Sequence, residues 1–189
     1  SLEQKYEDLK FLSRQYNQRI SSVSYTKVQL INLLDQTMPG ITHLLPLRSR
    51  NPEQCVLLLF VKRFKSFDEI NKIGKTRFLS SYATLVKKTR DRHALSKGLA
   101  IYELAKNSIT TRGEDPYIQL AQSQCVDLLS SSQNAADEII LQMQTIAETI
   151  PEYKVLRSMA GVGDRLGPVI LAEIGDIRRF HSGKALNSF

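Results

Sequence analysis

From Tyr117 to Ile150 the chain contains neither glycine nor proline, and within that run Cys125, Leu129, Ser132, Ala136, Ile139, Met143, Ile146 and Ile150 alternate spacings of four and three. That alternation is the apolar seam of a coiled coil, sustained for about four heptads. At 1.5 Å per residue such a helix extends roughly 50 Å. Its seam, with Leu129, Ala136, Ile139, Met143, Ile146 and Ile150 as the expected contacts, needs another helix to lie against. The partner is either an antiparallel helix of the same chain, such as 93–111, or a second subunit. The length of this helix favours the subunit, and with it a homodimer or higher homo-oligomer.

The rest of the chain also reads as helix. Leu2, Tyr6, Leu9, Leu12, Tyr16 and Ile20 recur every three or four positions and predict an amphipathic helix to about Ser21. After Ser21-Ser22 a second run carries Val28, Leu30, Ile31, Leu33 and Leu34, and Pro39-Gly40 stops it. Residues 41–51 read as a loop with a helical turn, and Pro52 suits the first position of a buried helix over 52–63. Ser66-Phe67-Asp68-Glu69 is a capping box that opens a short helix ended by Gly74. Helices are expected over 75–89 and 93–111, and Asp115-Pro116 caps the long helix after Gly113. No stretch shows strand alternation. The fold class is all-α, a helical bundle with a long coiled-coil helix and a C-terminal helix-hairpin-helix. Its expected divisions are a helical linker domain over 1–113, the long helix over 114–150, and the truncated start of a helix-hairpin-helix domain over 151–189.

Composition narrows the class of function. The longest apolar run, Cys55 to Val61, falls well short of the ~18 residues that cross a bilayer, so no membrane partner is expected. Cys55 and Cys125 have no metal-ligand partners at standard spacing and read as free thiols in a reducing cytoplasm. The net charge of +7 is unevenly placed: residues 51–100 hold 11 Lys and Arg against 4 Asp and Glu, whereas 101–150 hold 2 against 7. A basic region beside an acidic one suits a chain that meets a polyanion with one part and protein with another. The expected basic face comprises Lys62, Arg63, Lys65, Lys72, Lys75, Arg77, Lys87, Lys88, Arg90 and Arg92.

Near the C-terminus, Val155 to Ser158 lead into Gly161-Val162-Gly163, and Leu166, Val169, Ile170 and Ile174 mark the packing face of a helix that leaves it. Two glycines around one apolar residue permit a sharp turn, with Val162 plugging the gap between the helices. The free N–H groups of Gly161, Val162, Gly163, Asp164 and Arg165 then form an anion site to which Arg165 adds charge. Arg178, Arg179 and Lys184 extend it. Such a site holds phosphate without reading a base. A Gly-x-Gly segment is also a common tight corner between helices, so a purely structural turn in an oligomerisation module stays open.

The continuation Ala172-Glu173-Ile174-Gly175-Asp176-Ile177, then Arg179-Phe180 and Lys184-Ala185-Leu186, resembles the C-terminal transposase domain of the insertion-sequence transposases of the IS-one-ten and IS-one-sixteen group. That domain opens with a Pro-Gly-Ile/Val-Gly hairpin, matched by Gly161 to Gly163 except that Ala160 stands where the family has proline. The resemblance implies a piece of a DNA transposase from a bacterial mobile element, working in the cytoplasm with DNA and a structured guide RNA as partners. It implies that the four acidic metal-binding residues, with their magnesium, belong to a domain before Ser1, and that the nucleophilic serine follows Phe189. No catalytic residue, cofactor or metal site is therefore expected in this chain. Glu173 and Asp176 lack a third ligand, and Ser182-Gly183 fits a helix N-cap. A DNA-repair helix-hairpin-helix protein is the remaining alternative.

Overall fold

The computed structural model describes residues 1–175, and among these there are helices and no strand. The helices are α1 (Leu2–Thr37), α2 (Ile41–Leu44), α3 (Val56–Phe64), α4 (Phe67–Ile73), α5 (Lys75–Val86), α6 (Ala94–Asn107), α7 (Pro116–Ala147), α8 (Tyr153–Ser158) and α9 (Leu166–Ile174).

The expected break at Ser21-Ser22 does not occur, and α1 runs unbroken for 36 residues, longer than the 32 of α7. Serine costs a helix only a few tenths of a kcal/mol, and no glycine or proline intervenes before Pro39. The buried stripe simply continues through Val23, Thr26, Leu30 and Leu34. The helix expected to start at Pro52 begins later: Pro52–Gln54 form a 3₁₀ turn, and α3 opens at Val56. The N-caps form, but the box at Ser66 closes on one side only, because the Ser66 N–H donates to the Phe64 carbonyl at 2.6 Å and not to Glu69. Ser66 Oγ accepts from the Glu69 N–H at 3.2 Å, and Asp115 Oδ1 accepts from the Tyr117 N–H at 2.8 Å.

The chain divides into two compact units, Ser22–Gln133 on the one hand and Ser1–Ser21 with Asn134–Phe189 on the other. This differs from linear divisions at 113 and 150, because α1 and α7 each supply residues to both cores.

In the unit 22–133 the core is aromatic. Phe60 and Phe64 lie with centroids 4.8 Å apart, and Phe64 meets Phe78 edge-on at 5.0 Å. Each such pair adds about 0.5–1.5 kcal/mol beyond burial. α5 and α6 approach closely at Gly98, where a Cβ would stand 3.0 Å from Leu79 and 3.1 Å from Tyr82. One polar link lies in the buried interior: Gln122 of α7 accepts from Thr37 Oγ1 and donates to the Lys65 carbonyl, the latter at 2.9 Å. Cys55 and Cys125 are both buried free thiols, that of Cys55 donating to the Pro46 carbonyl at 3.8 Å.

In the other unit, Tyr6 and Leu9 of α1 share a core with Ile140, Met143 and Ala147 of α7, Tyr153 and Leu156 of α8, and Leu171 and Ala172 of α9. This corrects the expectation that a second subunit covers the seam. Met143 is fully buried and Ile150 nearly so, while Ile139 and Ile146 are partly buried at the edge of the same core. Further along α7, Leu129 is buried within the core of the unit 22–133 and Ala136 is also fully buried. The seam positions lie in cores built by this chain, and Leu129 shares its core with Ile101 and Ala105 of α6, within the stretch 93–111 that the sequence offers as a partner.

Candidate nucleic-acid interface

α8 and α9 are joined by Met159–Arg165, and the local chemistry explains the turn. Met159 leaves α8 in an extended conformation, with its N–H on the Leu156 carbonyl at 3.2 Å. Gly161 has φ 84°, a left-handed value that a side chain resists. The Val162 N–H returns to the Met159 carbonyl at 3.2 Å, and Val162 packs partly buried against the core of its unit. Gly167 lets the two helices meet, since a Cβ there would lie 3.0 Å from the Tyr153 ring.

The carbonyl groups of the turn are taken up. Arg157 Nη1 donates to the Val162 carbonyl at 2.8 Å, the Gly167 N–H to that of Gly163 at 2.8 Å, and Gln144 Nε2 to that of Asp164 at 2.8 Å. Most of the N–H groups are not, although that of Val162, expected among the free donors, is taken by the Met159 carbonyl. Those of Gly161, Gly163, Asp164, Arg165 and Leu166 make no hydrogen bond among the described residues. Gly161, Gly163, Asp164 and Leu166 are exposed, with open space where a Cβ on either glycine would be. A row of unpaired donors at the start of α9 suits an anion, through both hydrogen bonding and the helix dipole.

The side chains tell a different story from the backbone. Arg165, expected to add charge for a phosphate, instead donates from Nη2 to Asp137 Oδ1 of α7 at 2.7 Å. Burial works against its charge, but hydrogen bonds with Asp137 and Tyr16 outweigh that and hold its pKa above the ordinary arginine value. Arg157 is likewise engaged, with Nη2 2.5 Å from the exposed Asp164 carboxylate. The turn therefore offers N–H groups rather than cations. Arg178, Arg179 and Lys184 lie outside the described residues.

The expected basic face lies in the unit 22–133 and does not form one surface of free charge. Lys62 is paired with Asp127 and Lys72 with Glu114, each at 2.6 Å, and Arg63 stands 5.0 Å over the Phe64 ring. Lys65 ends α3 with φ 63°, its carbonyl held by Gln122. Lys75, Arg77 and Lys87 are exposed, and Lys88 shares with Arg63 the rim of a hollow of about 330 Å³. Arg90 and Arg92 line a second cavity together with Arg48 and Lys97, which the sequence reading left out. Lys97 carried a signal: a lysine in the first turn of a helix faces the positive end of the dipole and calls for a nearby anion, here Asp91 at 3.3 Å. Among the described residues no three His, Cys, Asp or Glu side chains gather as metal ligands, and no helix is long and apolar enough to cross a membrane.

Residues 153–189 match the model of the Transposase IS116/IS110/IS902 family, a stretch that opens on the first residue of α8 and takes in the turn and α9. Over this C-terminal fifth the chain is similar to that transposase family. No curated protein and no solved structure matches the chain.

Proposed function

We propose that this chain binds nucleic-acid backbone, with DNA as its principal partner, and that α8, the turn and α9 act as a helix-hairpin-helix in DNA transposition. The observation that carries the reading is the run of N–H groups from Gly163 to Leu166 that make no hydrogen bond among the described residues, on a turn where Gly163, Asp164 and Leu166 are exposed, inside the stretch that matches a transposase family. Such donors grip phosphate oxygens independently of sequence, which suits positioning rather than base selection. Strand cleavage is not assigned to these residues. A structured RNA, implied by the resemblance, would be held by the same donors. Dimerisation through the α7 seam is not part of this reading.

One observation favours a plain structural corner instead: both arginines of the element are engaged with carboxylates, leaving no free cation on the turn itself. Gly163→Ala separates the two. Gly163 does not have a positive φ and has open space around it, so a methyl is tolerated by the fold but crowds the approach to its own N–H and that of Asp164. Titration of duplex DNA at several salt concentrations is expected to show several-fold weaker binding for the variant, with unchanged thermal stability. Equal binding by variant and parent, or no affinity even at low salt, would sink the proposal.

A further inference from the structure

The unit 22–133 contains a cavity of about 420 Å³ between the segment that joins α2 to α3 and the segment that joins α5 to α6. Four cations line it: Arg48 from the first segment, Arg90 and Arg92 from the second, and Lys97 from the first turn of α6. Lys97 is matched by Asp91 Oδ2 at 3.3 Å. Arg48, Arg90 and Arg92 form no ion pair among the described residues. Three unmatched guanidiniums thus border one hollow, whereas Lys62 and Lys72 of the same basic stretch are paired.

Asp91 explains how the hollow keeps its shape. Its carboxylate is almost wholly buried, at 6% exposure, with Oδ1 accepting the His93 N–H at 2.9 Å and Oδ2 beside Lys97. The carboxylate is committed to the head of α6 and balances one cation of the four. The remaining like charges repel one another, a cost that an entering anion offsets. Guanidinium forks match phosphate oxygens two at a time. Leu45, Val56 and Leu57 make part of the lining apolar, and the volume lies in the range of small-molecule sites rather than that of a lone ion.

We propose that this cavity binds one nucleotide unit, its phosphate held by Arg48, Arg90 and Arg92 and its base or sugar against the wall of Leu45, Val56 and Leu57. An unpaired strand delivers a nucleotide into a concave site, while a duplex must first unstack one at a cost of a few kcal/mol. That the anion is a nucleotide rests on the nucleic-acid reading of the chain; the convergence of unmatched arginines does not.

The test uses the 189-residue chain with a labelled single strand of about ten nucleotides, its duplex form, and adenosine monophosphate as competitor. Arg90→Ala/Arg92→Ala is expected to weaken single-strand binding roughly tenfold and to flatten the salt dependence by about 1.4, two phosphate contacts' worth. Both arginines are exposed, so the variant keeps its thermal midpoint. The control Lys75→Ala/Arg77→Ala removes equal charge outside the cavity and is expected to cost about threefold or less. Competition by the mononucleotide at roughly micromolar levels identifies a free nucleotide as occupant; competition only near millimolar identifies a strand. Equal losses in the two double variants would overturn the proposal, as would wild-type affinity in Arg90→Ala/Arg92→Ala. Loss in Gly163→Ala with the cavity variant unchanged overturns the cavity and leaves the turn standing; the converse supports the cavity against the turn. No binding of either the single strand or the duplex by the parent chain at low salt overturns both.

Discussion

Arg165 Nη2 and Asp137 Oδ1 lie 2.7 Å apart, tying the turn before α9 to the long helix α7 across 28 positions of sequence. Each side chain is about one-third exposed, so water and salt screen the pair and its worth is about 1 kcal/mol. Arg165→Ala is therefore expected to lower unfolding stability by that amount, measured by urea titration. It is expected to leave the slope of log affinity for DNA against log salt unchanged. A fall of about one in that slope would show that Arg165 reaches a phosphate after all.

The two glycines of the turn make different demands. Gly161 has φ 84°, and an alanine there meets no neighbour but is held in a left-handed conformation costing about 1–2 kcal/mol. Gly161→Ala is expected to lower the thermal midpoint, whereas Gly163→Ala is not. Equal midpoints for both variants would mean that the turn relaxes to another conformation.

This contrast shows where the sequence was readable. The capping residues Ser66 and Asp115 act as their spacing says, because a cap is a local bond between neighbours. The Gly-x-Gly turn was legible for the same reason. Ser21-Ser22 misled because polar residues on the exposed side of a helix look like a break when no partner is known. The anchors Leu129, Ala136 and Met143 of α7, and Ile150 just past its end, are buried as their spacing implies, but the positions between them shift by one, to Gln133, Ile140 and Ala147. Ile139 and Ile140 are both isoleucine, so hydrophobicity cannot choose between them; the location of the neighbouring helices does. The same limit hid Asp137 as the partner of Arg165, and Arg48 and Lys97 as neighbours of Arg90 and Arg92. Those pairings depend on which segments the fold brings together, and spacing along the chain carries no trace of them.

Gly98 sits where α6 passes closest to α5. Alanine would gain up to about 1 kcal/mol of helix propensity, yet its Cβ would press on Leu79 at 3.0 Å and on Tyr82 at 3.1 Å. Tyr82 is fully buried among Phe60 and Phe78 and has no room to retreat. Overpacking costs about 1–3 kcal/mol, so Gly98→Ala is expected to destabilise the protein by about 1 kcal/mol net. A urea midpoint at or above that of the parent would show that Leu79 moves aside instead.

Asp91 gives the unit 22–133 a dependence on acid. Burial pushes its carboxyl pKa up, but the His93 N–H and Lys97 outweigh burial and hold it below the usual carboxylate value. A carboxylate whose pKa is lowered by folding adds stability that is complete above about pH 4, its unfolded value, and is lost as pH falls through the lower folded value. Asp91→Asn removes that contribution at neutral pH. The variant is expected to be less stable than the parent near pH 7, with the gap closing toward pH 3. A gap that stays constant over this range would mean that the carboxylate charge does not stabilise α6.

Met143 settles whether the α7 seam is internal. It is fully buried in a core that contains Tyr6 and Leu9 of the same chain, so removing most of its side chain leaves a cavity inside one molecule. Met143→Ala is expected to cost about 2–5 kcal/mol. Stability that depends on association varies with protein concentration, whereas stability within one chain does not. Thermal midpoints of parent and variant are therefore expected to be constant over roughly a hundredfold range of concentration, the variant lying below the parent throughout. A parent midpoint that climbs with concentration would return the seam to a second subunit, and the contacts of Tyr6 and Leu9 with α7 would then have to form between molecules.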